Sequence, residues 1–398
     1  MSGIYGHLAR RGLEVAAAHV SNPQDEHIAA LKAQADAYER HGEEVYPWEI
    51  FCIFFVATAF IFSYISVKYT LGEVMASLVM IESPKTLVVT ETKVVDDEDP
   101  DAPLEKAPLM DEEISVYKQE LVTTNIKRTA ELLKSVGGRF SRWRGAHIAL
   151  IYHIAHALVN TGYVHLLSNF MTVPMAFFFS SIISTLCLSR LHMVWTHAMI
   201  SKPSTIHWTK RVNPDKKAFK ALALPTIVFA VAQHFVVMVP ACVFFMWGPL
   251  PSNMAEVDEH NEALRVLATL GTAVLIGLAV LLPASVTLTR VEAALLPEDM
   301  ETVVNFDRTL NGTTTFAITE NDINARALFN GAWRSFDRPA RLRLIKFYAK
   351  FLMIQFVVIA SGIFWVSTLI NVIGVDKLTA FTQASSAQLQ LMSMGEGI

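Results

Sequence analysis

Histidine is the residue type in this chain whose number and spacing could support chemistry. Eight of the thirteen histidines lie between residues 147 and 234, within or beside apolar stretches. His153 and His156 are three residues apart and would share one face of a helix. Neutral imidazole binds Zn, Cu and Fe, so one hypothesis is a haem or transition-metal site. Its candidate ligands are His153, His156, His192, His197 and His234.

The alternative for the same histidines is hydrogen bonding between membrane helices. Asn160, Asn169 and Gln233 would add to such a polar seam. Carboxylates that could complete a metal site are missing from these stretches, and the clustered histidine boxes of di-iron desaturases do not occur. The sequence therefore favours the hydrogen-bonded seam, and we predict no cofactor.

Charged residues occur in pairs where three of the apolar stretches end. The pairs are Lys68 with Glu73, Arg190 with His192, and Arg290 with Glu292. If the three ends meet, these side chains could form an ion-pair gate or a site for an anionic lipid head group. The alternative is that each side chain extends separately to the membrane surface.

The composition indicates that these residues belong to membrane helices. The chain has 52% hydrophobic and 18% charged residues, whereas about a quarter of the residues of a soluble protein are charged. A membrane span needs about 20 mainly apolar residues, and six stretches qualify. They are 48–68, 147–167, 169–189, 222–247, 266–288 and 351–373. We therefore predict an all-α integral membrane protein built as a six-helix bundle.

Lysine and arginine are distributed unevenly between the connections. They are frequent after the first, third and fifth stretches and nearly absent after the second and fourth and in the flanks of the two tails. Positive charge resists translocation, so the basic loops should face the cytosol or the mitochondrial matrix. Both termini should then lie on the opposite side of an organelle membrane, mitochondrial or endoplasmic reticulum. The net charge of −4 gives no reason to expect nucleic-acid binding.

Three regions follow from this distribution. Residues 1–46 form a polar tail with a short surface helix, 47–374 the membrane domain, and 375–398 a C-terminal tail. Within the membrane domain, the acidic, proline-containing loop 82–113 should be disordered. The apolar spacing after it predicts an amphipathic helix over 112–135, and the basic loops in general should carry such helices. Segments 94–113 and 297–350 are candidate partner-binding regions, and anionic lipid is a further candidate partner.

The odd-numbered stretches share a second feature. Each continues as a semi-polar helix that stops near a proline: Lys68 to Pro84, Arg190 to Pro203 and Thr287 to Pro297. Each even-numbered stretch follows a basic segment with a tryptophan, namely Trp143, Trp208 or Trp333. These regularities predict three two-helix repeats. The alternative is that any six-span protein with basic loops on one side shows part of this pattern.

Three segments resemble a family of uncharacterised fungal multi-pass membrane proteins. They are Tyr69 to Pro84, Arg190 to Ser204 and Thr289 to Leu310. Some members of that family carry the name ubiquitin carrier or ubiquitin-conjugating protein. Conjugating enzymes have an exposed catalytic cysteine after a His-Pro-Asn motif, which this chain lacks. Cys52, Cys187 and Cys242 all lie in apolar stretches, so we do not expect a conjugating enzyme.

The chain also resembles the mitochondrial carrier fold more distantly, with its three two-helix repeats and amphipathic matrix helices. Pro283 to Glu292 is similar to the carrier signature, keeping its proline and, at Arg290, its last basic residue. The acidic and first basic members of the signature are absent. This resemblance implies a carrier-like solute transporter. The alternative is a non-catalytic membrane scaffold that recruits partners through its loops. A histidine-ligated redox protein is a third hypothesis. No catalytic residue is predicted.

Overall fold

The computed structural model describes residues 27–33, 45–84, 86–92, 112–118, 121–212, 216–248, 259–318 and 322–394. The chain divides into two compact units, residues 1–65 with 354–398 and residues 66–353. The fold is mainly helical, which confirms the predicted helical class in its general form.

The helices are numbered here in chain order. After a short α1 at 27–33, α2 covers Pro47–Ile81. The following helices are α3 Ile126–Gly137, α4 Ala146–Leu167, α5 Val173–Cys187, α6 Ser189–Ile200 and α7 Lys216–Met246. Helix α8 consists of Glu259–Ile276, a π-helical Gly277–Leu281 and Leu282–Ala294. The last four are α9 Thr313–Ala317, α10 Ala325–Arg334, α11 Arg338–Ile373 and α12 Val375–Ser393.

Two strands interrupt the helical pattern. Strand β1, Thr86–Thr92, pairs antiparallel with β2, Glu112–Lys118, and Thr86 lies opposite Lys118. The prediction of a helix from residue 112 is therefore wrong for 112–118, where β-branched residues alternate with others and favour a strand. The helix begins at Ile126, where the Asn125 side chain accepts a hydrogen bond from the Lys127 amide. The strands also replace the predicted disorder at both ends of loop 82–113, and residues 93–111 lie outside the described part.

Among the described residues, four helices are long and apolar enough to cross a membrane: α2, α7, α8 and α11. Helices α5 and α6 together make a fifth candidate, bent by 60° at Leu188. These helices identify a multi-pass membrane protein by their length and composition. The predicted second span corresponds to α4, which has 22 residues. It carries four histidines and Asn160, and it is not among the candidates.

In the first unit, close packing and one ion pair connect distant parts of the chain. A Cβ atom at Gly362 would clash with the Phe60 ring, so glycine permits the close approach of α11 to α2 there. Lys377 pairs with Glu49 at 2.9 Å. Residues 375–393 form α12 rather than a simple tail, and its Leu391 packs with Leu31 of α1. A short helix in the N-terminal region was predicted.

In the second unit, a helical segment follows each of the first, third and fifth apolar stretches, as predicted, and the 60° bend separates the third stretch from its segment. We call the continuations Lys68–Ile81, Ser189–Ile200 and Leu282–Ala294 the three helix extensions. They pack against one another, and most of their residues are buried, in contrast to the exposed apolar faces of the spans. Helix α2 has 35 residues and would be about 50 Å long, against about 30 Å for the hydrocarbon layer. The extensions therefore have enough length to form a protein core outside it.

Arginine side chains bind the carbonyl groups at the ends of these extensions. Arg343 donates to the carbonyl oxygens of Val79 (3.2 Å) and Glu82 (2.9 Å). Arg144 donates to those of Ala198 (3.0 Å) and Ser201. Arg308 does the same after the third extension, to Leu296, Pro297 and Met300. The last carbonyls of a helix have no partner within it, and cations at this end also interact favourably with the helix dipole.

We expect the Arg144→Ala variant to lose about 2–4 kcal/mol of stability, since two carbonyl groups lose a charged donor. Burial lowers the pKa of Arg144 to about 10, which leaves the side chain charged at neutral pH. The matched control is Arg142→Ala, two residues earlier on an exposed side chain, which should change stability by less than about 0.5 kcal/mol. The measurement is unfolding in mixed micelles. Equal effects of the two substitutions would contradict the proposed role of Arg144.

Candidate functional site

A cavity of about 500 Å³ lies within the second unit. Its wall is formed by α2, α6, α7, α8 and α11, and most of the wall is apolar, as at Met80, Phe229 and Phe351. A smaller set of side chains supplies polar groups: Glu73, Ser77, His192, Thr196, Gln233, Ser285, Thr289 and Tyr348. An apolar pocket with a few convergent polar groups is typical of a site for a small molecule.

Two π-helical segments contribute to this wall. Gly72 and Glu73 belong to the segment Lys68–Met75 of α2, and Gly277 and Leu278 to Gly277–Leu281 of α8. A Cβ atom at Gly72 would lie 3.2 Å from the Phe351 ring, whereas one at Gly277 would meet no atom within 4 Å. Short π-helical segments inside α-helices are frequent at functional sites.

The His192 side chain connects the cavity to a buried carboxylate. Its Nδ1 lies 2.6 Å from Oε1 of Glu292, whose side chain is 1% exposed. The second oxygen of Glu292, Oε2, has no hydrogen-bond partner. His197 Nε2 donates to the backbone carbonyl of Glu292 at 2.7 Å. Two histidines of α6 thus hold one residue of α8, and one of the two reaches the cavity.

Glu73 supplies a second carboxylate to the cavity wall, from α2. Among the residues that the structure describes, it forms no ion pair within 4 Å. Glu73 and His192 therefore line the cavity from two helices, and Glu292 of a third helix lies behind His192, paired with it but not lining the cavity. Ionisable residues within membrane helices are costly and typically mark substrate or proton pathways.

The predicted charged set converges only in part. The structure brings Glu73, His192 and Glu292 together, but Lys68 is exposed and does not line the cavity. The Arg190 guanidinium lies 5.6 Å from the centre of the Phe219 ring. The buried Arg290 donates to the carbonyl oxygen of Met80 at 2.9 Å. The prediction that all six residues form one site is therefore wrong, because the two arginines extend away from the cavity.

The candidate metal ligands are engaged separately. His156 Nε2 lies 3.1 Å from Thr185 Oγ1, and the His153 ring packs 5.5 Å from that of Trp195. The His234 ring lies 5.1 Å from that of Phe178, and its Nε2 has no partner. Within the described ranges, no three His, Cys, Asp or Glu side chains are placed to hold a metal ion.

The three residues of the predicted polar seam lie in different surroundings. Asn160 Oδ1 accepts a hydrogen bond from Ser180 Oγ at 2.7 Å, which joins α4 to α5. Gln233 lines the cavity. Asn169 instead lies in the exposed turn between α4 and α5 and donates to the carbonyl oxygen of His165. Asn169 therefore does not take part in an interhelical seam.

Tyr152 was not identified from the sequence although it supports the site. It is 6% exposed, and its ring centre lies 5.3 Å from that of His192 and 5.7 Å from that of Trp195. Through this contact α4 positions the histidine that pairs with Glu292. Its place immediately before His153 is the only sequence signal that could have indicated it.

No protein-family model, curated protein or solved structure matches this chain. The resemblances to the fungal membrane proteins and to the mitochondrial carriers therefore stay predictions. Most of the acidic segment 94–113, on which the scaffold hypothesis depends, lies outside the described residues.

We expect His192 and Glu292 to be energetically coupled. Glu292→Ala should cost about 3–5 kcal/mol, the usual effect of breaking a buried pair by removing one partner. The double variant with His192→Ala should cost less than the sum of the two single variants. The measurement is the free energy of unfolding, in mixed micelles, of the unmodified protein, the two single variants and the double variant. Glu298→Ala, at an exposed position, is the control, and strict additivity would contradict the coupling.

Proposed function

We propose that this protein is a carrier-like solute transporter, with the 500 Å³ cavity as its substrate site. The observation that carries the proposal is that Glu73 and His192, the latter paired with the buried Glu292, line one cavity between candidate membrane helices. Charged groups beside an apolar cavity between membrane helices are energetically costly. Packing of the helices alone therefore gives little reason for their presence. A transporter needs such groups to recognise a charged solute or to exchange a proton.

The charges favour one class of solute. The pair His192–Glu292 is neutral when the histidine is protonated, and Glu73 adds a negative charge at the wall. The substrate we propose is a metabolite-sized organic cation whose apolar part lies against Phe229, Leu278 and Phe351. Exchange of this cation against a proton on Glu73 would keep the site neutral in each state.

The architecture that we propose for transport has six spans in three two-helix repeats. It counts α4 as a span that forms a hairpin with α5, whose packing the Ser180–Asn160 bond supports. The three helix extensions would then be equivalent parts of the repeats, and the arginines at their ends equivalent caps. Both termini would face the compartment opposite the basic loops of an organelle membrane, as the charge distribution predicts.

We expect substitution at Gly277 to block transport. A leucine there would extend into the cavity without a clash, because its Cβ atom meets nothing within 4 Å. Gly271→Leu is the matched control: it lies on the same helix with the same open space, but does not line the cavity. The measurement is uptake into proteoliposomes of radiolabelled organic cations and anions, in matched panels of similar size.

Uptake of at least one cation should fall more than tenfold with Gly277→Leu and stay unchanged with Gly271→Leu. Glu73→Gln should raise the KM for the cation and remove the dependence of uptake on a pH gradient. Absence of uptake for every compound, or equal uptake by both glycine variants, would contradict the proposal. Transport of anions alone would contradict the substrate class.

A further inference from the structure

A second cavity, of about 790 Å³, lies in the same unit and has a different chemical character. It is bounded by the end of α2, the turn Val122–Thr124, the connection between α10 and α11, and the first turns of α11. Five basic side chains line it: Arg290, Arg334, Arg343, Lys346 and Lys350. We call it the basic cavity.

The cations of the basic cavity lack carboxylate partners. Within the described part of the chain, none of the five forms an ion pair within 4 Å. Arg290 is 2% exposed, and its Nε has no hydrogen-bond partner; Arg343 Nε has none either. Asp307 and Asp337 favour the charged form of Arg290, and Glu82 and Asp337 that of Arg343, from beyond 4 Å. A buried cation without a direct ionic partner is costly, so an anion in the cavity would stabilise both arginines further.

Three carboxylates also line the cavity, but their oxygens already accept hydrogen bonds from backbone amides. Glu82 accepts from Val122 at 2.9 Å, Asp307 from Asn311 at 2.8 Å, and Asp337 from Ala340 at 3.1 Å. They keep their negative charge and compensate the cations in part, but none of them forms an ion pair within 4 Å with a cation of the cavity. Five cations against three carboxylates leave the basic cavity with a net positive charge.

The location of the basic cavity limits what could enter it. Lys346 and Lys350 are exposed on α11 immediately before the apolar run 351–373, where the membrane surface is expected. Leu342 and Phe347 add apolar surface to the wall. Arginine and lysine together suit a phosphate group, which accepts both forked and single charged hydrogen bonds.

We propose that the basic cavity binds a phosphate ester, either the head group of an anionic lipid or a soluble phosphorylated metabolite. The phosphate would approach Arg290 and Arg343 from the open side of the cavity, with Lys346 and Lys350 at its entrance. This site is separate from the substrate cavity and does not depend on the transport proposal. It also differs from the head-group site predicted from the sequence, with which it shares only Arg290.

The test compares lipid and soluble probes on the purified full-length protein in neutral detergent. The lipid probes are dioleoyl phosphatidic acid and, as a control without net charge, dioleoyl phosphatidylcholine. The soluble probes are glycerol 3-phosphate and, as its control, glycerol. Binding is measured by microscale thermophoresis and by the rise in Tm. The variant Lys346→Ala/Lys350→Ala removes two exposed lysines and should leave the fold intact.

The matched control is Lys216→Ala/Lys217→Ala, two exposed lysines at the start of α7 that do not line the cavity. Phosphatidic acid or glycerol 3-phosphate should bind and raise the Tm, and the cavity variant should raise the Kd at least tenfold while the control does not. Binding of the lipid alone identifies a head-group site, whereas binding of glycerol 3-phosphate identifies a metabolite site. No binding of either phosphate, or equal losses in the two double variants, would overturn the proposal.

Discussion

The structure of the second unit depends on the need to satisfy carbonyl groups at helix ends that lie within the protein. The three helix extensions end in a packed core, where their last carbonyls have limited access to water. Arg343, Arg144 and Arg308 provide the donors. A guanidinium group suits this role because it offers five donors in a fixed geometry. Basic residues of the connecting segments thus stabilise the fold.

The packing of the three helix extensions places ionisable groups close to the candidate membrane spans. Glu73, His192 and Glu292 lie on the extensions, within five residues of the predicted apolar stretches that precede them. The pair His192–Glu292 is buried at one side of an apolar cavity, and Tyr152 and Trp195 hold the histidine ring. The unpaired carboxylate of Glu73 and the orphan oxygen of Glu292 are the features that packing alone does not explain.

The general architecture could be predicted from the sequence because it depends on local patterns. Apolar length located the four long candidate spans and the bent pair α5–α6, and the prolines after Ile81, Ile200 and Ala294 located the ends of the extensions. Of the charged set, Glu73, His192 and Glu292 come together, since they lie on packed helices. Arg190 and Arg290 do not join this group. Their long side chains contact an aromatic ring and backbone carbonyl groups, respectively, which are close only in the folded protein.

Other features depend on contacts that are distant in the chain. The donors at the helix ends come from residues up to about 260 positions away, as Arg343 to Val79 illustrates. The π-helical segments leave no simple signal in composition, and the bend at Leu188 has no proline at that position. The strand at residues 112–118 was predicted as a helix because short apolar runs fit both periodicities.

The central claim is that the three helix extensions form one layer on one side of the membrane. Single cysteines at Ser83, Ser204 and Glu298, in a background without Cys52, Cys187 and Cys242, test it most directly through labelling with a membrane-impermeant maleimide in sealed vesicles. The account predicts that all three positions react from the same side, and that cysteines at Phe170 and Trp247 react only from the other. The claim would be contradicted if the cysteine introduced at one of Ser83, Ser204 or Glu298 reacted from the side opposite to the other two.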